Sequence, residues 1–142
     1  MRIDVDGQNT PTASVICVYA STKFRKKRMK TIPYNSNILN VELEALKWGL
    51  DLAISVSNQA DKVEVMSDRE DLVYAFNGSG ESMSMLRYDE EIQHYLKKIE
   101  GKKISIHWIS RNQNRAGIAL EKRLKTVKNR INKIVSGRKR WY

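Results

Sequence analysis

The sequence predicts an α/β fold built on a mixed five-stranded sheet, with three antiparallel strands followed by two parallel ones and helices flanking them. Three observations support this prediction. Three β-rich segments come first, with only short breaks between them. Helical patterns then alternate with two short strand patterns. Strands joined by short turns pair antiparallel, whereas strands joined through a helix pair parallel, and this order of elements therefore gives a mixed sheet.

The first three strands are predicted at residues 1–6, 13–20 and 29–34. The second is rich in β-branched and other apolar residues, which is typical of a buried strand. A basic stretch separates the second strand from the third. Turn-forming residues at 35–37 then end the third strand, so the three strands can pair through short connections.

The later part of the chain alternates helices and strands. Apolar residues recur at three- and four-residue steps in the helical segments, and every second residue is apolar in the strands. The predicted order is helix 38–56, strand 62–67, helix 69–76, helix 86–99, strand 104–108 and helix 114–135. Gly101 and Gly137 are placed to end helices. We therefore expect one domain over residues 1–137 and a basic C-terminal tail at 138–142.

The composition indicates a polyanionic partner. The net charge is +10 at pH 7 and the pI is about 9.8, and nucleic acid is the commonest polyanion that such proteins bind. Six lysines and arginines lie within residues 23–30, and nine more lie within residues 122–140. Runs of one sign in a basic chain favour contacts with phosphates. Five residues of the first run are predicted to bind nucleic acid: Lys23, Arg25, Lys26, Lys27 and Arg28.

The sequence shows no signal for a membrane or for secretion. No segment reaches about 18 consecutive apolar residues, so no membrane partner is expected. The N-terminus has no leader pattern. Cys17 is the one cysteine and lies in an apolar strand, where a core residue is expected rather than a nucleophile. These features together predict a cytoplasmic location.

Three carboxylates occupy the ends of predicted elements. Asp6 closes the first strand, Glu42 lies near the start of the first helix, and Asp68 closes the fourth strand. In the predicted sheet these positions point into a shared pocket. Converging carboxylate oxygens are the ligands that Mg²⁺ prefers. The three residues are therefore candidate metal ligands and catalytic residues.

Each of these acids also has a local structural explanation. Asp6 is a frequent residue type at the start of a turn, here at Gly7. Glu42 is favoured in the first turn of a helix by the helix dipole. Asp68 is a good N-cap residue, with Asp71 three positions later in the manner of a capping box. The metal-site interpretation therefore depends on all three acids occurring in this order.

The motifs taken together resemble type 1 ribonucleases H. The resemblance rests on four segments in the same order: Asp6-Gly7, Glu42 to Leu46, Ser67-Asp68, and Arg111 to Asn114. It implies an RNase H-like fold and a nuclease that hydrolyses the RNA strand of RNA–DNA hybrids. Two Mg²⁺ ions, or Mn²⁺ as a substitute, would be bridged by Asp6, with Glu42 and Asp68 each completing one side. It also implies nucleic-acid contacts from three further residues: Asn37, Arg111 and Asn114.

The sequence departs from the family at the fourth acid. The family has an aspartate four residues after the position of Asn114, and Ile118 stands there. Helical phase predicts that Ile118 shares the metal-facing side of the last helix with Asn114 and Glu121. Glu121 through its carboxylate, or Asn114 through its amide oxygen, is the candidate replacement. Two alternatives stay open: a nucleic-acid-binding module that does not cleave, and a nuclease that acts on structured DNA.

Overall fold

The computed structural model describes residues 1–21, 26–78 and 83–139. The strands are β1 at Arg2–Asn9, β2 at Ser14–Ala20, β3 at Lys26–Ile32, β4 at Val63–Ser67 and β5 at Ile104–Trp108. The helices are α1 at Ile38–Val56, α2 at Glu70–Phe76, α3 at Asp89–Ile99 and α4 at Arg115–Lys139. Short 3-10 turns lie at Met83–Tyr88 and Arg111–Gln113.

The five strands form one mixed sheet in the order β3-β2-β1-β4-β5. The pairs β1–β2 and β2–β3 are antiparallel, whereas β1–β4 and β4–β5 are parallel. This arrangement confirms the predicted sheet. It places β1 at the centre, with β4 beside it and running in the same direction, so that the residues following the two strands meet at one end of the sheet.

The sheet is covered on both faces. The larger core includes Ile16 and Val18 of β2 together with residues of α1, α2 and α3. Side chains alternate along a strand, so Cys17 lies on the opposite face, where it is fully buried beside Ala116 and Leu120 of α4. The packing confirms the prediction that Cys17 is a core residue. Helix α4 therefore closes the face of the sheet that carries the side chains of Cys17 and its neighbours.

Several element boundaries differ from the predictions. Strand β1 continues past residue 6 to Asn9, since Gly7 still pairs with Ile16 of β2. Strand β3 covers Lys26–Ile32 rather than 29–34, so its basic residues lie within a strand. The helix predicted at 86–99 is a 3-10 turn followed by α3. Helix α4 passes Gly137 and ends at Lys139, because a glycine weakens a helix without having to end it.

The helices have no membrane-spanning character. Within the residues that the structure describes, no helix is both long enough and apolar enough to cross a bilayer.

Candidate active site

Three carboxylates from separate elements converge at one end of the sheet. Asp6 lies within β1, Glu42 within α1, and Asp68 directly after β4. One carboxylate oxygen of each residue lies within 4.8 Å of the other two. Val5 of β1 pairs with Ser67 of the parallel strand β4, so Asp6 and Asp68 follow at matched positions. The predicted convergence of the three acids is therefore present in the structure.

The local structural explanations for these acids do not apply. Asp6 lies inside a strand rather than at a turn. Helix α1 begins at Ile38 and has no acidic residue in its first turn, so Glu42 is too far along for a dipole role. The N-cap position of α2 belongs to Arg69, and the Ser67 hydroxyl accepts a hydrogen bond from its backbone N–H at 3.1 Å. Asp68 is thus left free of a capping role.

Gly7 sets the distance between α1 and β1. A Cβ atom at Gly7 would lie 2.9 Å from both the Cγ1 atom and the carbonyl oxygen of Val41. No real side chain tolerates such contacts, and only glycine allows the helix to pack this closely. Glu42 follows Val41 directly, and the close packing carries its carboxylate to Asp6. Gly7 therefore allows α1 to pack closely enough for the Glu42 carboxylate to reach Asp6.

Two of the three acids are buried, and Asp68 is partly buried. Asp6 is 5% exposed and Glu42 is 7% exposed. Burial, reinforced by the charge of Asp68, raises the pKa of Asp6 to about 6. Burial, reinforced by Asp6 and Asp68, raises the pKa of Glu42 to about 9. In the described part of the chain, no salt bridge reaches any of the three acids.

One oxygen of the trio lacks a partner altogether. The Oε2 atom of Glu42 is buried and has no hydrogen bond to any described residue. An unpaired buried carboxylate is costly unless a cation or a donor completes it. Three converging oxygen ligands with one orphaned atom fit a hard divalent cation such as Mg²⁺. The residues that would hold it are Asp6, Glu42 and Asp68.

Asn114 has a different position from the predicted one. It is fully buried, and its Oδ1 atom accepts hydrogen bonds from the backbone N–H groups of Ala116 and Gly117 at 3.1 and 3.3 Å. Its Nδ2 atom donates to the Val5 carbonyl at 2.9 Å and to Asp68 Oδ2 at 3.0 Å. Asn114 therefore caps α4 and orients Asp68. With its amide oxygen occupied and its side chain buried, it is neither a metal ligand nor a nucleic-acid contact.

Helix α4 presents Gly117, rather than Ile118, beside Asp6, and we call this position the fourth corner of the site. A Cβ atom at Gly117 would lie 3.1 Å from Asp6 Oδ2, whereas Ile118 is 39% exposed and does not line the cavity over the acids. Of the residues predicted on the metal-facing side of α4, Asn114 donates a hydrogen bond to Asp68 and Glu121 lines the cavity, whereas Ile118 lies outside the cavity lining. Glu121 lines the same cavity as Asp6, which keeps it as a candidate accessory acid.

The acids open onto a cavity of about 470 Å³. Its lining combines acids with polar and basic side chains from β1, α1, the ends of β4 and β5, and α4. The lining residues are Asp6, Gly7, Gln8, Asn9, Ile38, Glu42, Arg69, Arg111, Gly117 and Glu121. Arg111 therefore lies where the sequence predicted it. Arg69 was not predicted, and its only sequence signal is its place directly after a strand-ending acid.

The other predicted nucleic-acid contacts divide into three groups. Lys26, Lys27 and Arg28 are exposed on the edge strand β3. Lys23 and Arg25 lie outside the described residues. Asn37 caps α1 by accepting a hydrogen bond from the Leu39 backbone N–H at 3.1 Å, so its side chain has a structural task in the protein.

The fold and the acid cluster define an RNase H-like α/β protein. A family model described as reverse transcriptase-like matches residues 4–123. The chain belongs to this family, and the resemblance to ribonucleases H is confirmed. No curated protein matches the chain by sequence.

Solved structures with the same fold are ribonucleases H and a viral polymerase. RNase H1 of the halophilic archaeon Halobacterium salinarum shares 17% identity with a TM-score of 0.65, covering 84% of this chain and 92% of its own. LC11-RNase H1, in complex with an RNA/DNA hybrid, shares 21% identity with a TM-score of 0.60, covering 80% and 88%. The foamy viral protease-reverse transcriptase, in complex with dsDNA, shares 13% identity with a TM-score of 0.54, covering 82% and 86%. At these identities the likeness establishes the RNase H-like fold.

Proposed function

We propose that this protein is a divalent-metal-dependent endonuclease that hydrolyses the RNA strand of RNA–DNA hybrids. The observation that carries the proposal is the convergence of Asp6, Glu42 and Asp68, two of them buried and none in an ion pair among the described residues, with oxygens within 4.8 Å of one another. A carboxylate cluster that costs free energy when empty is the arrangement expected of a cation site. The solved relative LC11-RNase H1 in complex with an RNA/DNA hybrid supports this choice of substrate.

The roles of the residues follow from their positions. When bound to the trio, divalent ions would supply an activated water and neutralise charge on the attacking and leaving oxygens of a phosphodiester. Asn114 holds the Asp68 carboxylate in place through its Nδ2 atom. Gln8 lines the cavity and donates to Asp6 Oδ2 at 3.4 Å. Lys26, Lys27 and Arg28 on the β3 edge would hold the phosphate backbone without reading its sequence. The exposed residues Lys122, Arg123, Lys125 and Arg130 of α4 would assist them.

A cleavage assay tests this proposal. Purified protein would be incubated with an end-labelled RNA–DNA hybrid, a DNA duplex, an RNA duplex and a branched DNA, each with Mg²⁺, Mn²⁺ or EDTA. We expect cutting of the RNA strand of the hybrid in either metal and none in EDTA. Asp68→Asn should abolish cutting. Asp61→Asn removes an exposed acid from the turn before β4, at the opposite end of that strand, and should leave cutting unchanged.

Three outcomes would contradict the proposal. If the protein binds the hybrid but cuts it in neither metal, it is not the proposed nuclease. Preferential cutting of the branched DNA would show that structured DNA, rather than the RNA–DNA hybrid, is the substrate. Unchanged activity of Asp68→Asn would show that the assigned site is wrong.

A second candidate function is a nucleic-acid-binding module that does not cleave. Gly117 favours it, because this glycine leaves the fourth corner of the site without a carboxylate. Fewer negative ligands should weaken the binding of a divalent cation. The two functions are separated by the same assay, since the module would bind the hybrid in EDTA and in metal without producing fragments.

A further inference from the structure

Two arginines line the cavity from the ends of neighbouring strands. Arg69 directly follows Asp68 after β4, and Arg111 opens the 3-10 turn after β5. Ser67 and Trp108, the last residues of these strands, are register partners. Both guanidinium groups therefore approach the cavity from the same side of the sheet, and both line it together with Asp6 and Glu42.

Neither arginine forms a salt bridge with the acids that it accompanies. The Nε atom of Arg69 donates to Asp71 Oδ1 at 2.9 Å. Among the described residues, none accepts a hydrogen bond from the terminal nitrogens of Arg69 or from the guanidinium of Arg111. The side chain of Arg69 is 36% exposed. Asp71 thus holds the Nε edge of the Arg69 guanidinium, and Arg69 lines the cavity with its terminal nitrogens unpaired among the described residues.

Arg69 acts on the acids through its charge without pairing with them. Burial and the neighbouring acids raise the pKa of Glu42, and the charge of Arg69 partly offsets that rise. No ion pair within 4.0 Å links Arg69 to the trio in the part of the chain that the structure describes. Arg69 and Arg111 thus provide two planar, permanently charged donor groups along the cavity wall. Such forks match the geometry of phosphate oxygens, which they bind bidentately.

We propose that Arg69 and Arg111 bind a backbone phosphate of the nucleic acid in this cavity and position it over the acids, and that this contact does not require a metal. The inference rests on the proposed function for its nucleic-acid ligand. Gly117 contributes to it, because the missing fourth carboxylate lowers the repulsion that an entering phosphate meets. Both arginines act as positioning residues in this account.

Binding of a hybrid in EDTA tests the inference. The affinity of the wild-type protein for a fluorescent RNA–DNA hybrid would be measured over a series of salt concentrations. Arg69→Gln and Arg111→Gln should each weaken binding about tenfold. The double variant should reduce the slope of log affinity against log salt by about 0.9, the loss expected for one phosphate contact, and each single variant should reduce it by part of that amount. Arg69→Lys, which keeps the charge, should keep the slope.

A matched control uses a charge at the far end of the same sheet. Lys103 is exposed and precedes β5, so it lies a strand length from the cavity. Lys103→Gln should leave both the affinity and the slope unchanged. A slope that is unchanged in both arginine variants, or one that falls equally in Lys103→Gln, would overturn the inference.

A neutral backbone linkage locates the contact. Methylphosphonate would replace one phosphate at a time along each strand of the hybrid. At the contacted phosphate, the difference between wild-type protein and Arg69→Gln should disappear, because both partners of one interaction are then absent. A constant difference at every position would overturn the inference. Failure of hybrid cleavage in Mg²⁺ with these binding results intact would instead contradict the proposed nuclease activity alone.

Discussion

Asp4 and Asp6 lie two residues apart on β1 and face the same side of the sheet, yet their surroundings are opposite. Asp4 is fully buried and accepts hydrogen bonds from Arg2 Nε at 2.7 Å, Arg2 Nη2 at 3.0 Å and the Arg115 backbone N–H at 2.9 Å. Asp6 is also buried, but it has one weak donor, Gln8 at 3.4 Å, and two acids as neighbours.

The difference separates a structural acid from a functional one. Asp4 ties the start of α4 to β1 through Arg115. Donors from Arg2 and Arg115 surround Asp4, whereas the trio has no ion-pair partner among the described residues. Burying a carboxylate without a cation costs free energy. The trio, rather than Asp4, is therefore the cluster that a bound ion would stabilise.

The largest expected effect is on catalysis. Asp6→Asn should lower the single-turnover rate of hybrid cleavage at least about 1,000-fold, equivalent to ~4 kcal/mol. The free energy of unfolding in EDTA should not fall, because the substitution removes a repelling charge. A parallel loss of activity and of stability would contradict the separation between Asp4 and Asp6.

The reverse pattern is expected two residues earlier. Asp4→Asn should lower the free energy of unfolding by about 3 kcal/mol, the lower end for a broken buried ion pair, since the arginines keep contact with water. Urea denaturation at pH 7.5 in EDTA measures this loss. If Asp4→Asn unfolds at the wild-type urea concentration, the pairing with Arg2 and Arg115 does not stabilise the fold.

Glu42→Gln should raise the free energy of unfolding of the metal-free protein by about 1–3 kcal/mol at pH 7.5. Each kcal/mol should raise Tm by about 2–4 °C. The folded state raises the pKa of Glu42 from near 4.5 to about 9. The folded state then binds more protons than the unfolded state, so wild-type stability falls as pH rises between these values. Glu42→Gln should flatten that fall. A gain in stability that is constant from pH 4 to pH 9 would contradict the burial of an open charge.

The smallest expected effect concerns the fourth corner. Gly117→Asp should tighten Mg²⁺ binding about tenfold, or ~1.4 kcal/mol, because it adds a carboxylate beside Asp6. Ile118→Asp is the matched control and should leave metal affinity unchanged, since Ile118 does not line the cavity. An increase in affinity in Ile118→Asp alone would assign the fourth corner to Ile118 instead.

Long periodic elements and the acid trio could be predicted from the sequence. Helix α1 and strand β5 have the predicted bounds, because their apolar periodicity is unbroken and turn formers or glycine flank them. Asp6, Glu42 and Asp68 converge as expected, because element order alone brings parallel strand ends together.

The features that could not be predicted depend on contacts between residues that are far apart in the sequence. The partner of Asp4 at Arg115 lies 111 residues away, and no local pattern announces it. Asn114 caps α4 and hydrogen-bonds Asp68 from 46 residues away, which local periodicity does not show. Arg69 is a lone charge whose importance comes from the cavity that it lines.

Direct measurement of divalent-ion binding tests the central claim, that the open trio is completed by cations. Calorimetric titration with Mg²⁺ and Mn²⁺ at pH 7.5 would compare wild-type protein, Asp6→Asn and Asp61→Asn. We predict saturable binding to the wild type and to Asp61→Asn, and its loss in Asp6→Asn. Binding to Asp6→Asn with wild-type affinity, or no binding to the folded wild-type protein, would contradict the account.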